Sequence, residues 1–86
     1  MADYSIVFAR SAARELEALH GTLATRILAK IEALALTPQP TACRKLVGTP
    51  DLWRIRVGDY RVIYEINDNR QLIDIIAIRH RKDAYR

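Results

Sequence analysis

The sequence predicts a small α+β fold: a mainly antiparallel twisted sheet with a helical hairpin packed on one face, in the order β-α-α-β-β-β. Three observations carry this. Two stretches with apolar residues at helical spacing follow one another early in the chain, and three runs rich in β-branched and aromatic residues fill its second half. Between the first two of those runs stands a Gly-Asp pair of the kind that makes a two-residue hairpin turn. With 86 residues and 50% of them apolar, the chain can bury one modest core, so residues 1–86 are read as a single domain.

The opening strand is expected where Tyr4, Ile6 and Phe8 alternate with Ser5 and Val7. Ser11 offers an N-cap for a first helix running to His20, with Ala12, Ala13, Leu16 and Leu19 on one stripe, Arg14, Glu15 and Glu17 facing away, and Gly21 as the stop. His20, at the end of that helix, suits the helix dipole and is read as structural. A second helix is predicted from about Thr22 to Leu36, with Leu23, Ile27, Ile31 and Leu34 on its buried face and Pro38 and Pro40 ending it. So short a link between helices makes an antiparallel hairpin whose shared apolar face needs a sheet to cover. Residues 37–51, with three prolines and Gly48, read as an irregular connection anchored by Leu46 and Val47. Strands then follow at Leu52 to Val57, Tyr60 to Ile66 and Leu72 to Ile78.

Composition narrows the functional classes. Cys43 stands alone, which excludes an intrachain disulfide and any C-x-x-C site, and no His, Cys and carboxylate cluster has metal-ligand spacing. The N-terminus lacks the basic and apolar regions of a signal peptide, and no apolar run reaches the roughly 18 residues that span a membrane, so a cytoplasmic protein is expected. The formal net charge is +4, and arginine supplies most of the 14 basic residues, which suits planar contact with phosphate.

Placement of the arginines sharpens this. With Gly58 and Asp59 in the turn, Val57 pairs with Tyr60, Ile55 with Val62 and Trp53 with Tyr64, giving one apolar face for the helices. The same register sets Arg56 opposite Arg61, with Arg54 two residues along, so three guanidinium groups share the other face. Like charges so opposed are destabilising unless an anion joins them, and phosphate fits; the alternative is a solvated face whose arginines pair with Glu65 or Asp74. Near the end of the chain Arg79, His80, Arg81, Lys82 and Arg86 surround Tyr85, and basic groups beside a stackable ring suit single-stranded RNA.

Taken together, Lys45-Leu46 with Gly48, the unbroken run from Trp53 through Tyr64, and the ending Arg79 through Tyr85 resemble the RelE branch of the RelE/ParE toxin superfamily over essentially the whole chain. The resemblance implies a RelE-like, microbial-RNase-like fold. It further implies the toxin of a type II toxin-antitoxin system, an endoribonuclease that cuts messenger RNA, in the ribosomal A site, and so inhibits translation and growth. Its partners would be a RelB-like antitoxin and mRNA on the ribosome, with no membrane and no cofactor. Attack by the ribose 2′-oxygen on the adjacent phosphate would give a cyclic phosphate and a free 5′-hydroxyl, without a metal.

Position by position, the resemblance assigns the catalytic set Arg54, Arg56, Arg61, Arg79 and Tyr85. Arg61 and Arg79, expected to be exposed, would stabilise charge on the phosphate, while Arg54 and Arg56 would orient and acidify the 2′-hydroxyl and assist the leaving oxygen. Some relatives carry lysine where this chain has Arg54 and Arg56; arginine is a poor general base, so no proton transfer is assigned to either. Tyr85 would stack on a base or hydrogen-bond at the reacting centre, unless it is only a packed ring. Lys45, His80, Arg81, Lys82 and Arg86 are read as RNA-binding, and His80 is also weighed as an acid or base. Asp51, Asp59 and Asp68 read as turn formers, and Trp53, Tyr60 and Tyr64 as core. Two alternatives remain open: a ParE-type inhibitor of DNA gyrase with the same fold, and a non-catalytic nucleic-acid-binding module.

Overall fold

The computed structural model describes residues 3–82. Strand β1 (Ser5–Phe8) leads into helices α1 (Arg10–Glu17) and α2 (Gly21–Ala33), followed by β2 (Arg44–Lys45), β3 (Leu52–Val57), β4 (Tyr60–Asn67) and β5 (Leu72–His80). The five strands form one sheet in the order β1-β5-β4-β3-β2; only the β1–β5 pairing is parallel. The expected α+β class and helix-covered sheet are therefore found, with one strand more than expected. The stretch read as an irregular connection supplies β2, where Arg44 pairs with Arg54 and Lys45 with Trp53. Two residues are too few to show a period, which is why alternation did not mark them.

Both helices lie on the same side of the sheet, α1 against β5 and β1 and α2 against β3. The core between the layers joins Ala12, Ile27, Ile31 and Leu34 to Ile55, Val57, Val62, Tyr64, Ile73, Ile75 and Ile78, with Leu16, Leu19, Leu23, Trp53 and Tyr60 packed around it. Burying each such side chain contributes on the order of 2 kcal/mol, and this clustering is what sets the helices on the sheet. No helix of the described residues is long and apolar enough to cross a membrane.

The helix ends differ from the expected ones. Ala9, not Ser11, is the N-cap of α1: its N–H completes the parallel ladder by donating to Ile75 at 2.9 Å, and its carbonyl accepts the first helical bond from Ala13. Ser11 lies inside the helix and donates its hydroxyl to the carbonyl of Ile76 at 3.4 Å. Helix α1 ends at Glu17, earlier than expected, and Gly21 opens α2 behind an extended His20 (φ −69°, ψ 151°). An extended residue turns the chain without a left-handed glycine, so His20 occupies the positive end of α2, not the negative end of α1.

The β3–β4 register is as expected, with Val57 opposite Tyr60, Ile55 opposite Val62, Trp53 opposite Tyr64 and Arg56 opposite Arg61. Gly58 takes the left-handed position (φ +60°) that a two-residue hairpin turn requires of its first residue. Between β4 and β5 the register shifts: Tyr64 faces Ile75 but Ile63 faces Ala77, so Ile76 is an extra, bulged residue.

Tyr64 is wholly buried and donates its hydroxyl to the Pro38 carbonyl at 2.7 Å, tying the prolines after α2 to the sheet. Burial, and secondarily the neighbouring Cys43, push its phenol above the ordinary 10.0. The folded chain keeps this proton where the unfolded chain would release it, so the contribution is present below about pH 10 and fades as the pH rises further. Tyr64→Phe is expected to lower stability by about 1–2 kcal/mol near neutrality. The variant should also lose less stability than the wild type between about pH 8 and about pH 11, as denaturant midpoints will show. Gln71, in the turn before β5, is the one non-glycine among the described residues with positive φ (50°). Gln71→Gly should relieve that conformation and raise stability by about 1 kcal/mol in the same assay; an unchanged or lower midpoint would contradict it.

Candidate functional site

The face of the sheet away from the helices carries the arginines. Because directly opposed residues share a face, the pairs Arg56–Arg61 and Arg61–Arg79 set three guanidinium side chains in one row across β3, β4 and β5. Arg54 lies on the same face, opposite Ile63 and beside Arg44 on β2. The bulge is what admits Arg79 to this row. Continuing the Tyr64–Ile75 register without Ile76 would set Arg79 opposite Tyr60, on the helix side.

The three members differ in environment. Arg56 is exposed. Arg61, expected to be exposed, is instead buried at 8% relative exposure, because it is the middle member with a strand and a long side chain on either side. Arg79 is half-exposed at its side chain, and its Nε lies 3.4 Å from Oε2 of Glu15 on α1. That acidic partner is neither Glu65 nor Asp74, which face each other four pairs further along the β4–β5 ladder. Glu15, expected to face away from the core, is partly buried against the edge of β5, where its Oε1 also accepts the Ile78 N–H at 2.9 Å.

Beyond β5 the Arg81 N–H donates to the Asp59 carbonyl at 2.7 Å, pinning the chain to the β3–β4 turn. This bond brings Arg81 and Lys82 beside Arg56 and Arg61 around a groove of about 370 Å³ floored by Gly58, Asp59 and Tyr60. Arg26 of α2 reaches the same turn from the other side: its Nη2 would lie 3.9 Å from a Cβ on Gly58. The groove therefore collects basic groups from three parts of the chain, β3, β4 and the segment after β5, with Arg26 behind the turn, and suits a polyanion.

The structure separates two residues from this constellation. Lys45 pairs with Trp53 and holds its Nζ 5.9 Å from the indole centroid, on the side of the sheet opposite Arg54 and Arg56. His80 pairs with Tyr60 on the helix side, edge-on to that ring at 5.3 Å, and its Nδ1 accepts the Lys82 N–H at 3.2 Å. Tyr85 and Arg86 lie outside the described residues. Among residues not singled out from sequence, Arg44 shares the arginine face by register, though its Nη1 is turned to the carbonyls of Thr41 and Cys43. For Glu15 a signal did exist: it stands four residues after Ser11, on a polar stripe bordering Ala12, Leu16 and Leu19. The described residues hold no group of three or more His, Cys, Asp or Glu side chains able to hold a metal ion.

Comparison with known proteins agrees with this architecture. The toxin RelG of Mycobacterium tuberculosis is 33% identical over 96% of this chain and 97% of its own length. Among solved structures, the archaeal RelE-RelB complex from Pyrococcus horikoshii contains a chain that superposes with a TM-score of 0.81 at 32% identity, covering 92% of this chain and 96% of that one. The RelB-RelE complex from Methanococcus jannaschii gives 0.75 at 28% identity, covering 92% and 94%. The family described as ParE toxin of type II toxin-antitoxin system, parDE, matches residues 6–85, and with these relatives it establishes that the chain belongs to the RelE/ParE superfamily of type II toxin-antitoxin toxins.

Proposed function

We propose that this single-domain toxin is a metal-independent endoribonuclease that acts in the cytoplasm and cleaves messenger RNA in the ribosomal A site. The observation that supports this best is the cross-strand row Arg56–Arg61–Arg79 with Arg81 and Lys82 at its mouth. Three arginines brought side by side repel one another, and a phosphate in their midst turns that repulsion into charge-assisted hydrogen bonding.

In the reaction the ribose 2′-oxygen forms a bond to the adjacent phosphorus and loses its proton, while the bond from phosphorus to the 5′-oxygen breaks and that oxygen takes up a proton. The products are a cyclic phosphate and a 5′-hydroxyl. The nucleophile belongs to the RNA, so the protein's part is positioning and charge. Arg61 and Arg79 meet the phosphate oxygens as charge accumulates on them. Arg56 and Arg54 orient and acidify the 2′-hydroxyl and assist the leaving oxygen, with Tyr85 stacking on a base or bonding at the reacting centre. Arg81, Lys82 and Arg86 hold the flanking backbone. Lys45 and His80, on the other side of the sheet, serve the RNA only at its margins.

A second reading, inhibition of DNA gyrase without RNA cleavage, is favoured by the ParE description of the matching family. Brief induction separates the two. New messenger 5′ ends inside coding regions at a fixed codon position are expected; unchanged ends with collapsing plasmid supercoiling would establish the gyrase reading instead. Arg79→Ala is expected to lower the cleavage rate by about 100- to 1000-fold and to relieve growth arrest. Arg61→Ala should do the same, with a melting curve beside it because Arg61 is buried. Undiminished toxicity in both folded variants would remove these residues from the site.

The partner that restrains the toxin is proposed to be a RelB-like antitoxin, since RelE relatives are found in RelE-RelB complexes. Its binding segment should be amphipathic and acidic, so as to cover an arginine face rimmed by apolar side chains. Association of the protein encoded beside this one is therefore expected to slow at least several-fold between low and high ionic strength. A rate that ignores salt would count against an acidic segment.

A further inference from the structure

Helix α1 holds Arg79 from behind. Beyond the short parallel ladder with β1, which ends at Ile75, the second half of β5 has no strand among the described residues on its outer side. Side chains of α1 take up that edge. Ser11 Oγ donates to the carbonyl of the bulged Ile76 at 3.4 Å, and one turn later the Glu15 carboxylate spans two groups. Its Oε1 accepts the Ile78 N–H at 2.9 Å, and its Oε2 stands 3.4 Å from Arg79 Nε.

An arginine has a long stem with many rotamers, and a strand edge without a neighbour has backbone groups that pull toward water. Glu15 answers both at once. Gripping Nε fixes the plane of the guanidinium and leaves its two terminal nitrogens for phosphate, the ligand that planar pair suits. The carboxylate also subtracts charge from the surface, so it opposes loose binding of a polyanion while ordering the group that meets the reacting phosphate.

We propose that Glu15 is a positioning residue for Arg79, raising the rate of the chemical step at some cost in RNA affinity. The proposal rests on the ribonuclease reading above.

The test uses Glu15→Gln, which keeps an oxygen for the Ile78 N–H but loses the charge, in the full chain acting on ribosomes that carry a bound messenger. Single-turnover cleavage is expected to slow by about tenfold while the half-saturating concentration stays level or falls. Affinity for a short single-stranded RNA should depend more steeply on salt. In the Arg79→Ala background the same substitution should cost nothing further, because the group it positions is gone. A role confined to stability would lower the melting temperature without dividing rate from affinity. Losses that multiply in the double variant, or an unaltered rate in the single one, overturn the proposal while leaving the ribonuclease reading intact. A wild-type chain that cuts no messenger overturns both. Should Glu15→Gln fail to fold, exchange of the Arg79 Nε–H in the wild-type chain decides by NMR: slow exchange supports the grip, and fast exchange ends it.

Discussion

The pairing of Val57 with Tyr60 across the Gly58–Asp59 turn governs both faces of the sheet. Side chains alternate strictly along a strand, so one register decides that Ile55, Val57, Val62 and Tyr64 meet the helices and that Arg56 and Arg61 do not. A slip of one residue would exchange the two sets, burying guanidinium groups in the core and exposing its largest aromatic. The turn itself depends on a residue that accepts positive φ, which Gly58 supplies. Folding and the gathering of charge thus share one determinant, and the apolar face penalises any register that would scatter the arginines.

The arginine row carries an electrostatic cost that the fold tolerates. Each like-charged cross-strand pair costs several tenths of a kcal/mol, whereas a single buried isoleucine of the core contributes on the order of 2 kcal/mol. The helix-side core, with Ile27, Ile31, Ile73 and Ile75 fully buried, outweighs the repulsion without needing an anion. Glu15 reduces it further at Arg79, where half-exposure leaves the ion pair partly screened by water. What the row retains is a concentrated field beside a groove, which strengthens toward any phosphate that enters because the charges are already assembled.

Much of this was legible in the sequence, and the rest was hidden for definable reasons. Long elements with clear periods, such as the β3–β4 hairpin and the Ile27, Ile31, Leu34 stripe, were readable because burial enforces a repeat over several residues. The strand β2 was not, since its two residues pair through backbone bonds and carry no pattern. The burial of Arg61 depends on neighbours from two other strands, one of them remote in sequence. Lys45 and His80 looked equivalent to the arginines by charge and proximity along the chain, yet strand parity sends both to the helix side. The role of Glu15 is hidden because the apolar stripe of α1 gives its polar flank no direction; that flank has a use only where a strand edge lies beside it.

Arg79 shows how a second parity device completes what the turn begins. Positions 73, 75 and 79 have the same parity, and Ile73 and Ile75 are fully buried on the helix side. An unbroken alternation through β5 would therefore carry Arg79 into the core, where an unsatisfied guanidinium is prohibitive. The extra residue Ile76 reverses the parity from Ala77 onward, so that Ile78 returns to the core and Arg79 crosses to join Arg61. A bulge leaves backbone groups out of the ladder, and here the groups concerned lie where β1 has already ended. Ser11 and Glu15 supply bonds to the Ile76 carbonyl and the Ile78 N–H, in place of a neighbouring strand. Helix α1 thus contributes more than its apolar stripe to the fold: its polar flank occupies the edge that the bulge leaves open, and that edge bears the last arginine of the row.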